Sequence, residues 1–179
     1  MPRLIKRRAV VDDGWTLLRQ AASLADVPDG VPVIVPLALW LQERAALATR
    51  GEVGVWLGPD DDPELLAEDA EVLPLIAIDF PKFGDGRGYS TARLLRSRYV
   101  FAGELRAIGD VLHDQLYFLH QCGFDAFAVR ADRSLEDALK GLTDFSDGYQ
   151  ASVRQPIPLF RRRTAAGTVR GHAPAANDP

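Results

Sequence analysis

Hydrophobic and polar positions alternate in two distinct rhythms along this chain. Val31–Pro36 is a short, mostly β-branched apolar run, and Leu37, Leu41, Ala45 and Ala48 then recur at helical spacing through Thr49. Strand followed by helix is the reading. The rhythm returns with Val53–Leu57 as a strand, a short helix opened by Asp62-Pro63 and running to Glu68, and Val72–Phe80 as a strand with almost no polar position. Ser90–Arg98 reads as helix, Glu104–Ile108 as strand, Asp110–Gln121 as helix with Asp110 as its cap, and Phe124–Arg130 as strand. Ser134–Leu142 closes the series as a helix whose first residues, Ser134-Leu135-Glu136-Asp137, have the capping-box spacing. At the start, Leu4–Val11 and Trp15–Leu18 flank the turn-rich Asp12-Asp13-Gly14 and predict an N-terminal hairpin.

About five strands alternating with helices place the chain in the α/β class with a mostly parallel sheet. A complete eight-unit barrel typically needs about 250 residues. The 179 residues here therefore predict an open three-layer sandwich or a partial barrel. The stretch from Arg161 onward is rich in Ala, Gly and Pro without apolar periodicity. It reads as a disordered basic tail, which leaves 1–160 as one α/β domain.

Composition narrows the function classes. With 47% hydrophobic and 26% charged residues the chain is globular, and its single cysteine, Cys122, excludes an intrachain disulfide and fits a reducing cytoplasm. The longest apolar stretch is broken by Pro32 and Pro36, far short of the roughly 20 residues of a membrane helix, and no signal-peptide pattern follows the basic start. Net charge is −4, but Arg161, Arg162, Arg163 and Arg170 against Asp178 give the last stretch +3, which leaves −7 on the body. An acidic body speaks against nonspecific nucleic-acid binding.

Candidate chemistry gathers where parallel strands end, because ligands of α/β sheets bind beyond the carboxyl ends. Asp79 follows Leu75-Ile76-Ala77-Ile78, Asp110 follows Ile108-Gly109, and Arg130 follows Val129; Asp79 and Asp110 are the acid–base candidates. The Gly84-Asp85-Gly86-Arg87-Gly88 loop leads into a helix, and such a helix start suits an oxyanion. It matches neither a Walker A loop nor a dinucleotide fingerprint. Asp85, Arg87, Gly88, Tyr89, Ser90, Arg93, Arg96, Arg106, Asp114 and Arg130 complete the candidate anion- or partner-binding set. The plain alternative is a tight turn with solvated arginines. His113 and His120 lie seven positions apart, too far for the usual metal pair, so no metal site is expected. The acidic run Asp60-Asp61-Asp62 through Glu71 is a solvated edge or a docking patch, and Arg161–Arg163 is a second candidate handle.

The segment Phe80-Pro81-Lys82-Phe83-Gly84-Asp85-Gly86-Arg87-Gly88-Tyr89-Ser90-Thr91-Ala92-Arg93-Leu94-Leu95-Arg96, with Gly103–Leu112, Asp114-Gln115-Leu116 and Gly123–Phe127, resembles the bacterial family called domain of unknown function 934. The family pattern has a glycine near position 100, where this chain carries Val100. Members are described as oxidoreductases involved in sulfite reduction, with genes beside those for the assimilatory sulfite reductase haemoprotein. The resemblance thus implies a role in that process. The chain itself shows no flavin, nicotinamide, haem or iron–sulfur motif, so no cofactor is expected, and redox chemistry would need a carrier. The expectation is an accessory protein that helps deliver electrons to the haemoprotein or assemble it, with the haemoprotein or its electron donor as partner. Two others stand beside it: an enzyme or binding module for a small oxyanion at the strand ends, and a structural homo-oligomer without ligand.

Overall fold

The computed structural model describes residues 2–145 and 148–168. Eight strands form one sheet: β1 (Arg3–Lys6), β2 (Ala9–Asp12), β3 (Thr16–Leu17), β4 (Val33–Pro36), β5 (Val53–Leu57), β6 (Leu75–Phe80), β7 (Glu104–Gly109) and β8 (Ala126–Phe127). Helices α1 (Leu37–Arg50), α2 (Arg87–Ser97), α3 (Leu116–Cys122) and α4 (Leu135–Lys140) follow β4, β6, β7 and β8, and α5 (Leu159–Thr168) comes last. The strand order is β2-β1-β8-β7-β6-β5-β4-β3, parallel from β3 to β8 and antiparallel at β1 and β2.

Because neighbours in the parallel part are consecutive in the chain, right-handed crossovers put every connecting helix on the same side. The burial pattern agrees. Val33, Val35, Val53, Val55, Leu57, Ile76, Ile78, Phe80, Leu105 and Phe127 face the helices, joining Trp40 and Leu47 of α1, Leu95 of α2 and Leu119 of α3 in one core. The alternate positions Ile34, Leu75, Ala77 and Ile108 form a smaller cluster on the other face with Trp15, Leu17, Trp56 and Ala128, and among the described residues no helix contributes to it. Of the two expected architectures the three-layer sandwich is therefore not what forms. The sheet is a curled half-barrel with one helical layer.

The curl follows from chain connectivity. β2 and β3 are opposite edges of the sheet, yet only Asp13, Gly14 and Trp15 join them. A flat eight-stranded sheet would hold its edges about 34 Å apart, whereas four extended residue steps reach at most about 14 Å. Closing that gap bends the sheet around its inner face. The predicted hairpin of Leu4–Val11 with Trp15–Leu18 does not form; a hairpin lies instead within the first of those runs, where Lys6 pairs with Ala9 and Arg7 and Arg8 make the turn with φ of 49° and 65°. Asp12–Gly14 instead starts the crossing, and Thr16 and Leu17 pair in parallel with Val33 and Ile34. Burying Trp15 and Leu17 on the inner face outweighs the local preference of an Asp-Gly turn.

Buried charge locks this crossing. Arg106, only 3% exposed, reaches across the inner face to both carboxylate oxygens of Asp13 at 2.9 and 3.0 Å, while its Nε donates to Glu104 at 2.7 Å. Lys6 pairs with the second oxygen of Glu104 at 2.6 Å.

Several local expectations shift. The helix predicted over Asp110–Gln121 is a tight 3-10 turn at His113–Gln115 followed by the short α3, and Asp110 lies in the loop before it. The stretch from Arg161 begins in helix, because α5 runs through Arg161–Arg163 to Thr168. The remainder of that predicted tail, from 169 on, lies outside the described residues. Ser134 does cap α4, its hydroxyl accepting the Asp137 N–H at 3.2 Å. No helix among the described residues is long and apolar enough to cross a membrane.

Candidate functional site

The loops leaving β6, β7 and β8 meet at one end of the sheet and bring together most of the residues expected there. Gly109 ends β7 at φ +93°, where a Cβ would sit 2.7 Å from Asp79 Oδ1, so the glycine lets Asp79 and Asp110 share the rim. Asp79 accepts from Arg19 at 2.8 Å, and the Arg19 guanidinium lies 5.8 Å over the Trp56 ring. Asp110 accepts the Phe83 N–H at 3.0 Å and the Arg130 guanidinium at 2.8 Å. Arg130 uses Nε and Nη2 for a bidentate pair with Asp132 at 2.6 and 3.0 Å. Those hydrogen bonds hold the Asp132 carboxyl below its usual range and raise the guanidinium's pKa.

The glycine-rich loop is likewise filled by the chain's own charges. α2 begins at Arg87 rather than Ser90, and the Asp85 carboxylate accepts the Arg87 backbone N–H at 3.2 Å, in the place of an N-cap. The same carboxylate takes the Arg87 side chain in a fork, Nε at 3.0 Å and Nη2 at 2.7 Å, and Arg87 also bridges to Asp60 beyond β5. The Arg87 side-chain bond, then its N–H, pulls the Asp85 pKa down to about 2. A carboxylate so held cannot pick up a proton near neutrality. Gly88 serves packing: a Cβ there would meet Phe80 Cζ at 2.6 Å.

Tyr89 carries the rim toward an aromatic surface. Its ring stacks 5.3 Å from Phe80 and 4.9 Å from Phe118, and burial raises its phenol pKa. Gln115, missed as a candidate, knits the loops together. Its amide donates to Phe83 O at 3.2 Å and to the Tyr89 hydroxyl at 3.4 Å, while its carbonyl accepts Leu112 N–H at 3.0 Å. Phe83 and Phe118 stand half-exposed beside this knot, at 50% and 56%. Ser90 and Arg93 are exposed on α2, and Asp114 is exposed before α3.

Two predicted site residues lie elsewhere. Arg96 is a structural clamp at the opposite end of the sheet, donating to Gly123 O, Phe101 O and Gly103 O and pairing with Asp125 at 2.9 Å. Arg106 belongs to the buried inner-face lock. Both misplacements share one cause: their partners are far away in sequence, so spacing does not reveal them. Arg19 was missed for the same reason, its partner Asp79 lying 60 positions on, whereas Asp132 sits two positions from Arg130 and Asp60 stood only within the acidic run.

The acidic run divides: Asp61, Asp62 and Asp69 are tied into the fold, while Glu64, Glu68 and Glu71 stay exposed. Asp61 accepts from Gly58 N–H at 2.7 Å, Asp62 caps the 3-10 turn at Pro63–Leu66, and Asp69 is buried under Trp40 Nε1 at 2.8 Å. His113 bonds Asp137 O and Asp144, and among the described residues no three His, Cys, Asp or Glu gather as a metal set. Chemically, this rim is an array of exposed ion pairs around an aromatic patch, without a free nucleophile–base pair among the residues named.

No curated protein matches the chain at a significant level. A sequence model described as "Bacterial protein of unknown function (DUF934)" matches residues 54–160, which span β5 to the start of α5 and hold the whole rim except Arg19. That match covers more than half of the 179 residues, and the chain belongs to the DUF934 family.

Proposed function

We propose that this protein is an accessory component of assimilatory sulfite reduction, docking by its strand-end rim onto the sulfite reductase haemoprotein and supporting electron delivery to it or its assembly. The observation that carries the docking part is the juxtaposition of half-exposed Phe83 and Phe118 with the exposed Arg87–Asp60 and Arg130–Asp132 pairs. An apolar centre edged by charge is the usual anatomy of a protein-binding surface. The choice of partner rests on the resemblance of the Phe80–Arg96 and Gly103–Leu112 segments to a family described in that process. The oxyanion reading of the same rim has weaker support, because a ligand would have to displace Asp85 from Arg87 and Asp110 from Arg130.

The test uses the full chain with purified haemoprotein and its ferredoxin-type donor. Calorimetry and steady-state sulfite reduction are measured with the wild type and with Phe118→Asp, a surface change that spares the core. Saturable binding with altered turnover, both lost in Phe118→Asp, is the expected result. Unchanged turnover without binding overturns the adaptor role. If sedimentation instead shows a dimer that Phe118→Asp dissociates, the patch serves a second copy of the chain.

A further inference from the structure

A second site lies away from the rim, near the amino-terminal ends of β7 and β8. The Arg7-Arg8 turn is tied there by Arg7 N–H to Asp125 O at 3.0 Å, and with the end of α3 and the segment from 148 to 155 it borders a half-open pocket of about 470 Å3. Its described lining includes Arg8, Arg154, His120, Gln121 and Tyr117 and no acidic residue. Asp125, a carboxylate close enough to act on His120, is engaged by Arg96 and by Leu105 N–H.

The polar groups are arranged as donors. His120 Nδ1 and Arg154 Nη2 both reach the Phe124 carbonyl, each at 3.2 Å, which sets the imidazole and guanidinium side by side. Since a carbonyl only accepts, Nδ1 carries the proton and Nε2 is left for another partner. Gln121 Oε1 accepts from the Ser152 hydroxyl at 2.6 Å, leaving its amide as a donor. The Tyr117 hydroxyl is buried without a hydrogen-bond partner, and its ring packs against Phe145 at 4.9 Å. An orphaned buried hydroxyl costs stability unless something arrives to pair with it. Arg8 holds its place at φ 65°, in a two-residue turn that Asn-Gly would make without strain. Strain kept at such a spot is a feature of functional sites.

We propose that this cavity binds a doubly charged tetrahedral oxyanion, a phosphate or sulfate group, free or carried as an ester. Arg8 and Arg154 supply charge, Tyr117 and Gln121 supply neutral donors, and protonated His120 adds Nε2–H. Burial first, then Arg154 and Arg8, hold the His120 pKa below its usual value against the weaker pull of Phe124 O and Asp125. A bound dianion neutralises those arginines, so His120 takes up a proton on binding. This site is independent of the docking rim and of the partner proposed for it.

The experiment titrates the full chain at low ionic strength with inorganic sulfate, inorganic phosphate and phenyl phosphate, followed by NMR of the His120 ring and Tyr117 amide. Sulfate stays doubly charged across the histidine range, so any pH dependence of its binding belongs to the protein. Expected are saturable shifts, tighter sulfate binding as pH falls through the His120 titration, and a raised His120 pKa in the complex. Arg8→Asn, which also relaxes the turn, and Arg154→Gln should each weaken binding about tenfold, and Tyr117→Phe about threefold or more, with no loss of melting temperature in Tyr117→Phe. Phenyl phosphate binding more tightly than inorganic phosphate identifies an ester with its group against Phe145; equal affinities identify the free ion. Absent saturation, or affinities unmoved by Arg8→Asn and Arg154→Gln, overturns the proposal.

Discussion

Replacing Val100 by glycine should stabilise this protein. Val100 stands where α2 leaves its last turn, at φ 53°, with 76% of its surface exposed, and the next residue, Phe101, is thrown back into the core at 2% exposure. The turn is anchored by Phe101 N–H to Leu95 O at 2.9 Å, so its geometry is imposed by the packing of Phe101. A left-handed conformation costs an L-residue about 1–2 kcal/mol, and β-branching puts Val toward the upper end. Glycine removes that cost but returns about 0.5–1 kcal/mol through its freer unfolded chain. The exposed side chain gives up little burial. The net gain is about 0.5–1 kcal/mol, which at this chain length raises the melting temperature by about 1–4 °C. Calorimetry and urea unfolding with an unchanged m-value measure it, with Val100→Asn expected in between because Asn enters this region more readily. A Val100→Gly protein that melts at or below the wild type would show that the valine carries packing absent from this account.

Three further outcomes follow from described contacts. Arg106→Ala strands the Asp13 carboxylate and leaves Glu104 with Lys6 alone, and should destabilise by about 3–5 kcal/mol in urea unfolding; a loss below about 1 kcal/mol would mean water reaches Asp13. Gly88→Ala forces a Cβ to 2.6 Å from Phe80 Cζ and should cost about 1–3 kcal/mol, part of it recovered with Phe80→Leu. Asp85 is held down to about 2, so its pairing with Arg87 stabilises at neutral pH and that contribution fades as pH falls from 3.8 toward about 2. The stability gap between wild type and Asp85→Asn should narrow over that window, and a gap constant with pH would refute the pairing.

Elements with long apolar runs were legible in the sequence, and those built by distant partners were not. β5 reads off Val53–Leu57 to the residue. α1 forms where it was expected, but of the Leu37, Leu41, Ala45 and Ala48 stripe only Leu37 is buried; Leu39, Trp40 and Leu47 carry the core face, and the helix kinks at Glu43. β8 shrinks from the expected seven positions to Ala126–Phe127, since the residues after it turn away to place Arg130 on Asp110. Asp110 looked like a cap because it follows a glycine and precedes an apolar stripe, but Phe83 N–H and Arg130 occupy its carboxylate and Gln115 does the capping. The half-barrel itself depends on strand order, which no local pattern encodes. The strand-end rule places Asp79, Asp110, Arg87 and Arg130 at one end of the sheet, as the structure does, whereas the Arg8 pocket lies at the other end.

The pairing of β1 with β8 also sets a timetable. Ile5 must find Phe127, so the strand of this sheet that is made first hydrogen-bonds to the one made last. At about 5–20 residues per second, the hairpin of Leu4, Ile5, Val10 and Val11 waits roughly 6–24 seconds for its neighbour to be made. Throughout that interval its apolar face and its open edge are uncovered while β4 to β7 assemble behind it. The basic Arg3, Lys6, Arg7 and Arg8 that frame this hairpin set a charge barrier against pairing with another nascent copy, so residues that later tie the folded chain together first serve as gatekeepers of a half-made sheet.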